Sequence, residues 1–338
     1  MPVNPTLADI SDLTLRTAFA VYVFALILAC LYYMRAQTLV DMRRALAAST
    51  AKAEHKELVT VGGGRSESSE LIDEAPDATD LDAQEIRVRK AAGMTQSLAW
   101  LGIAFHLAAV VTRGMSVGRV PFGNLYEYVL TITAVTMVII AVIIQRKKWH
   151  SLWAWILAPI IIVLFLDATV LYVSAAPLVP ALQSFWYPFH VSTVSTGASI
   201  GLISGIFSLL YLLRIRQPRG EETGVWGKIA KPLPSAKKLD TWAYRTAIIT
   251  VPLFGIGIMF GAIWGEIAWG RFWNWDPKET VALINWILYA AYLHARATAG
   301  WKDQKAAWIN IAAFVVNVLN LTVINFFATG LHSYAGLN

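Results

Sequence analysis

Residues 191–213 read Val-Ser-Thr-Val-Ser-Thr-Gly-Ala-Ser-Ile-Gly-Leu-Ile-Ser-Gly-Ile-Phe-Ser-Leu-Leu-Tyr-Leu-Leu, with His190 before them and Arg214 after. No charged side chain interrupts them. About 20 mostly apolar residues suffice to cross a bilayer as a helix. In hydrocarbon the backbone must satisfy its own polar groups, so an isolated segment of this kind is helical. Gly197, Gly201 and Gly205 recur every fourth residue, a spacing that lets neighbouring helices approach closely. Further stretches of this kind lie near 18–34, 92–112, 126–144, 152–173, 246–264, 280–296 and 307–328, of which 280–296 is the shortest. The reading is an all-α, polytopic integral membrane bundle of about eight transmembrane helices.

Composition agrees. The 338 residues are 57% hydrophobic and 15% charged, with mean hydropathy +0.53. Soluble domains carry roughly 25% charged residues, so an ordinary soluble enzyme and a disordered chain are both excluded. Cys30 is the single cysteine, which leaves no internal disulfide and no Cys-x-x-Cys pair. The first apolar run reads as a retained span and not as a cleaved leader: only Arg16 precedes it, and Tyr32, Tyr33, Met34 and Arg35 follow in place of small residues.

The loops set the orientation. With the N-terminus outside, the outer segments hold Arg16, Arg113, Arg119, Arg271 and Lys278, five of the 28 basic residues, and the other 23 fall inside. Basic residues concentrate on the cytoplasmic side of membrane proteins. The net charge of +6 therefore orients the chain and calls for no nucleic acid. Residues 1–34 read as the first transmembrane helix and 95–338 as a seven-helix core. Between them, 35–94 reads as a cytoplasmic polar and acidic linker, with Gly62-Gly63-Gly64 and an acidic series from Glu67 to Glu85. Such composition buries too little apolar surface to order itself. The glycine triplet lacks the Gly-Lys-Ser/Thr ending of a phosphate loop.

The segment placed outside between the sixth and seventh runs reads Trp264-Gly-Glu-Ile-Ala-Trp269-Gly-Arg-Phe272-Trp273-Asn-Trp275-Asp276-Pro277-Lys-Glu279. Tryptophan favours the membrane interface, yet a belt needs one or two rings per helix end. Four Trp within twelve residues, with Phe272 among them, suit a large planar ligand held by area and ring contact. Asp276, Pro277 and Glu279 read as a capping box that starts a helix, and Asn124 with Glu127 repeats the pattern. His190 and His332 flank this segment on the same side. Neutral imidazole is a good iron ligand, and a planar ligand with two axial imidazoles is haem. His294 lies 18 residues past Asp276, roughly 27 Å along a helix at about 1.5 Å per residue, too far to share that iron. Intramembrane ionisable groups are functional candidates: His294 reads as functional, His106 as structural, and Asp167 has no evident partner.

The segment 264–280, ending Trp-Asn-Trp-Asp-Pro-Lys-Glu-Thr, resembles the tryptophan-rich "WWD" signature of the haem-handling membrane subunit of the system II cytochrome c synthase family. Pro177-Leu-Val-Pro-Ala-Leu-Gln183-Ser184 with His190, Tyr292-Leu-His294-Ala-Arg296, Gly330-Leu-His332-Ser-Tyr334 and Pro121-Phe-Gly-Asn124-Leu-Tyr126-Glu127 resemble that family too. The likeness runs over about 92–338. Glu266 and Ile267 depart from the small or neutral residues expected in the signature, and the loop before Pro121 lacks a His often found there.

The resemblance implies cytochrome c biogenesis in the cell (plasma or inner) membrane. Haem b, as substrate, would enter from the cytoplasmic side near His294, where a second, ResB-like membrane subunit completes the ligation. It would then reach an external site on Trp264, Trp269, Trp273, Trp275 and Asp276, with His190 and His332 as axial ligands. There it would join the Cys-x-x-Cys-His motif of apocytochrome c through thioethers, as in a holocytochrome c synthase. Thiol reduction falls to thioredoxin-like proteins. A haem exporter serving a chaperone and a haem-free transporter are the competing readings.

Overall fold

A computed structural model describes residues 3–61 and 78–332, and every regular element among them is helical. In chain order the helices are α1 (Pro5–Val61), α2 (Ala78–Val117), α3 (Leu125–Lys147), α4 (Trp153–Thr169), α5 (Trp186–Arg216), α6 (Gly224–Ala230), α7 (Ala236–Trp269), α8 (Pro277–Ala297), α9 (Gln304–Leu321) and α10 (Val323–Phe327). Seven stretches among the described residues are long and apolar enough to cross a membrane, with α9 and α10 forming one of them. The protein is thus a multi-pass membrane helix bundle.

Helix α8, which carries Lys278, Glu279, His294 and Arg296, is not one of those seven stretches. It packs along α9 nonetheless. At one end Lys278 Nζ donates to Asn320 O (2.9 Å) and Asn325 Oδ1 (2.7 Å) on the α9–α10 stretch. At the other, Tyr292 and Ala295 pack with Ala306 at the start of α9. The two helices therefore run antiparallel over their whole length.

The described parts of the segment 35–94 are helical where disorder was expected. Residues 35–61 continue α1 and 78–94 belong to α2. The glycine triplet and the acidic positions from Glu67 to Asp77 lie outside the described residues. The cause is local: 35–61 is rich in Ala, Leu, Lys, Arg and Glu, good helix formers, and contains no proline. The extensions are also tied to one another. Gln84 Nε2 donates to Arg35 O at 3.0 Å, and Arg43 pairs with Glu85 at 2.6 Å.

Helix α5 is the hub. A Cβ on Gly197 would sit 2.8 Å from Phe254 N of α7, on Gly201 2.5 Å from the Tyr289 hydroxyl of α8, and on Gly205 2.4 Å from Phe314 of α9. The glycine row is a packing seam that serves three partners in succession. Polar bonds fasten the same contacts. Ser204 Oγ donates to Ala243 O (2.7 Å), Asn310 Nδ2 to Ser204 Oγ and Ser208 Oγ (2.8 Å each), and Asn317 Nδ2 to Ala198 O (2.8 Å). Helices α1–α4 form the other half of the bundle around Tyr22, Leu130, Met137, Trp153 and Leu157.

Candidate functional site

The end of the bundle where α7 finishes and α8 begins gathers the Trp segment and two histidines from distant parts of the chain. Asn124 caps α3, accepting from Glu127 N at 2.9 Å. The Glu127 side chain is buried and does more than reciprocate. It accepts from Gly123 N (2.7 Å) and pairs with Arg113 (3.0 Å) and Arg119 (2.6 Å). This cluster fixes the 121–123 strand of loop, whose Phe122 carbonyl takes the Tyr187 hydroxyl bond from α5. Tyr187, Val191, Leu182 and Phe122 then form an apolar floor under Trp264.

Trp264, in the last two turns of α7, is 1% exposed and donates Nε1–H to Ala181 O at 3.0 Å. It is therefore no open platform. It stacks on His190 (centroids 5.7 Å apart, 20° between planes) and meets His332 edge-on (5.8 Å, 75°). Trp269 closes the group at 4.6 Å from Trp264 and 5.1 Å from His332. Gly270 (φ 70°) ends α7, and the chain turns back through Trp275 (φ 58°) into α8. Trp273 and Trp275 form a separate perpendicular pair at 5.9 Å. Trp273 lines the cleft with Phe272, whereas Trp275 is 69% exposed. The four tryptophans thus make two pairs: one braces the imidazoles, the other forms a rim.

Both imidazoles are oriented in the same manner. His190 Nδ1 lies 2.8 Å from Gly257 O, so Nδ1 carries the proton and donates. Gly261 makes room for the ring, since a Cβ there would lie 2.6 Å from His190 Cε1. His332 Nδ1 lies 3.2 Å from Asp276 Oδ1. Both rings line one cleft, and neither Nε2 has a hydrogen bond among the described residues. Metal-ligating histidines hold their second nitrogen in this way, which fixes the tautomer and frees the other nitrogen.

Asp276 is more than the cap read from sequence. It accepts from Lys278 N (2.9 Å) and completes the capping box with Glu279. It also accepts from Leu331 N (2.6 Å) and orients His332. Burial pushes its carboxyl up, but the bonds from His332, Lys278 N and Leu331 N outweigh that and hold it at about 2. Gly330 lets the C-terminal segment come this close, since a Cβ there would meet Asp276 Oδ2 at 2.2 Å.

The residues read from sequence divide accordingly. His190, His332, Trp264, Trp269 and Asp276 come together, with Trp273 beside them. His294 stands apart, exposed on α8 toward its far end. His106 is buried, with Nε2 3.0 Å from Leu130 O and Nδ1 3.4 Å from the Tyr22 hydroxyl. Asp167 is fully buried and its oxygens have no hydrogen-bond partner among the described residues. Sequence reading missed Lys278 and the Gly257 carbonyl. The cleft also receives Lys278, whose ammonium is held by Asn320 O and Asn325 Oδ1 and forms no ion pair among the described residues. No cluster of three or more His, Cys, Asp or Glu side chains suited to a free metal ion occurs among them.

Residues 122–332 match the family described as Cytochrome C assembly protein. A protein of Guillardia theta named cytochrome c biogenesis protein CcsA is 35% identical over 243 residues, covering 67% of this chain and 80% of that one. Its namesake in Parasynechococcus marenigrum is 32% identical over 264 residues, covering 72% and 86%. Among solved structures, one titled Cytochrome c Heme Lyase CcmF superposes with a TM-score of 0.59 at 15% identity. All of this chain matches 49% of that one, a likeness of fold alone.

Proposed function

The chain belongs to the family of cytochrome c assembly proteins, and on that premise we propose that it presents haem b at the outer face of the membrane for covalent attachment to apocytochrome c. Haem is here the substrate. One observation carries the reading: two histidines, 142 positions apart in sequence, line one cleft with each Nδ1 tied to an acceptor and each Nε2 free. Two axial nitrogens suit a porphyrin iron, because the macrocycle supplies the other four. The ring faces of Phe272 and Trp273 suit the porphyrin plane, and the Lys278 ammonium suits its carboxylates.

The residues would act by placement. His190 and His332 hold the iron, Trp264 and Trp269 keep the two imidazoles in register, and Asp276 keeps His332 in the Nδ1–H tautomer. Each of the two acceptor thiols then adds across a vinyl group. Sulfur bonds to one vinyl carbon, the thiol proton ends on the other, and no electrons are gained or lost. Holding the reactants in one geometry supplies the rate. The acceptor's own His replaces one axial ligand. The thiols must arrive reduced, which this chain, with Cys30 alone, leaves to thioredoxin-like proteins. A ResB-like membrane subunit would join His294 in passing haem from the cytoplasmic side. The basic asymmetry supports this orientation, with the N-terminus, Trp segment and C-terminus outside.

The test is co-expression of this chain and a candidate partner subunit with a reporter apocytochrome. Covalent haem on the reporter, lost with His190→Ala or His332→Ala, supports the proposal. Haem-loaded protein that never yields a covalent product with any partner favours delivery to a chaperone. Protein purified without any Soret absorbance contradicts a haem site.

A further inference from the structure

The glycine row of α5 is spent on α7, α8 and α9, and the face beside it on that helix carries large aliphatic residues. Leu202, Ile206, Leu209 and Leu213 form a stripe that lines a deep lateral groove of about 930 Å³, walled by α3 and α4 on one side and α9 on the other. The groove follows α5 from Ala198 to Gln217, roughly 28 Å at about 1.5 Å per residue, close to the thickness of a bilayer's hydrocarbon core. At its upper end it abuts the His190 cleft, with Tyr128, Ala198 and Leu321 lining both.

The lower end has a different chemistry. Trp155, Trp226 and Trp308 line it together with Arg216. Trp226 stands on the short helix α6, where Val225 and Trp226 are both exposed, as in a segment lying at the membrane interface. That places Arg216 at headgroup depth. The neighbouring carboxylate is already occupied. Glu222 takes Arg214 at 3.0 Å through Oε1, and Arg44 (2.9 Å) and Gly220 N (2.9 Å) through Oε2. Arg216 forms no ion pair among the described residues and is exposed at the groove's end.

We infer that this groove is a binding site for an anionic phospholipid, its phosphate at Arg216 and its acyl chain along α5. A partner's transmembrane helix fits less well. Tightly packed membrane helices use small residues at the contact, and most of this α5 stripe offers only Leu and Ile. An acyl chain needs no such row, and Arg216, the cation that lines the groove, selects for negative charge. The tail end then lies beneath the floor of the outer cleft and separates it from the bilayer.

The test is native mass spectrometry of the full-length protein released from detergent micelles. Phosphatidylglycerol and phosphatidylcholine are supplied in equal amounts. The wild-type chain should retain one phosphatidylglycerol in preference. Arg216→Gln should reduce that retention about fivefold, the loss expected for one basic contact at the surface. Arg146→Gln, an exposed cation that does not line the groove, should leave it unchanged. Leu209→Trp should fill the groove and remove the lipid altogether. Phosphatidylglycerol should raise the thermal midpoint of the wild type but not of Arg216→Gln. Equal retention by Arg216→Gln and Arg146→Gln, equal retention of the two lipids, or a co-purified polypeptide displaced by Leu209→Trp would each overturn the inference.

Discussion

Replacing Asp276 by Asn separates the two duties of that residue. Asn is as good an N-cap as Asp, so α8 should still start at Pro277. The carboxylate, however, receives three N–H groups: Lys278 N and His332 Nδ1 on Oδ1, and Leu331 N on Oδ2. An amide has one acceptor oxygen and one NH2. If its oxygen takes the Oδ1 place, the NH2 faces Leu331 N at a separation of 2.6 Å, donor against donor. That site is 5% exposed, and a buried unsatisfied donor costs about 1–3 kcal/mol. If the amide turns over, its NH2 faces His332 Nδ1, which must then accept. The proton moves to Nε2, the atom that the proposed function assigns to the iron. Either way the ligand is weakened, and loss of such a partner costs about 10–100-fold in metal affinity. Asp276→Asn should therefore show normal helix content by circular dichroism with a haem dissociation constant raised by about that factor. Unchanged affinity and an unchanged spectrum would reduce Asp276 to a cap and refute the argument.

Gly261→Ala should act on the other imidazole: its Cβ lies 2.6 Å from His190 Cε1, so the ring must retreat about 0.8 Å and lose its bond to Gly257 O, at a cost of about 1–3 kcal/mol from overpacking. Haem titration with a parallel melt checks this, and wild-type values for both would contradict the contact. Glu222, which pins Arg44 of α1 and Arg214 of α5 together at the opposite end, should give that contact an acid dependence. Burial raises its carboxyl, but Arg44, Gly220 N and Arg214 hold it down at about 2 against an unfolded value of 4.5. Its contribution is full above about pH 4.5 and is lost as pH falls toward 2. The stability difference between the wild type and Glu222→Gln should thus shrink across that window in melts run at successive pH values, and a constant difference would count against the pin.

What could be read from sequence was whatever is decided within a turn or two of helix. The apolar runs declare the crossings, and the Asp276–Pro277–Glu279 and Asn124–Glu127 pairs declare helix starts, because the groups that satisfy each other are three residues apart. The 197–201–205 row declares a seam, though not that it serves three helices. The site itself is made across distance. His332 meets Asp276 over 56 positions and His190 meets Gly257 over 67, and no local pattern encodes either bond. Trp264 and Trp275 look alike in sequence. One is buried between imidazoles because Leu182 and Tyr187 form a floor beneath it, and the other sits at a positive φ facing outward. The polar composition of 35–61 and 78–94 hid helices built from propensity and cross-helix pairs such as Arg43 with Glu85.

The central claim is that His190 and His332 are the axial pair, and the spectra of three purified variants test it most directly. His190→Ala and His332→Ala should each bind haem more weakly and shift it toward high spin, and added imidazole should restore part of the low-spin bands. His294→Ala, exposed on α8 roughly 27 Å from the cap at about 1.5 Å per residue, should lower haem content while the remaining haem keeps its low-spin spectrum. High-spin haem in His294→Ala alone, with native spectra in the other two, would contradict the assignment.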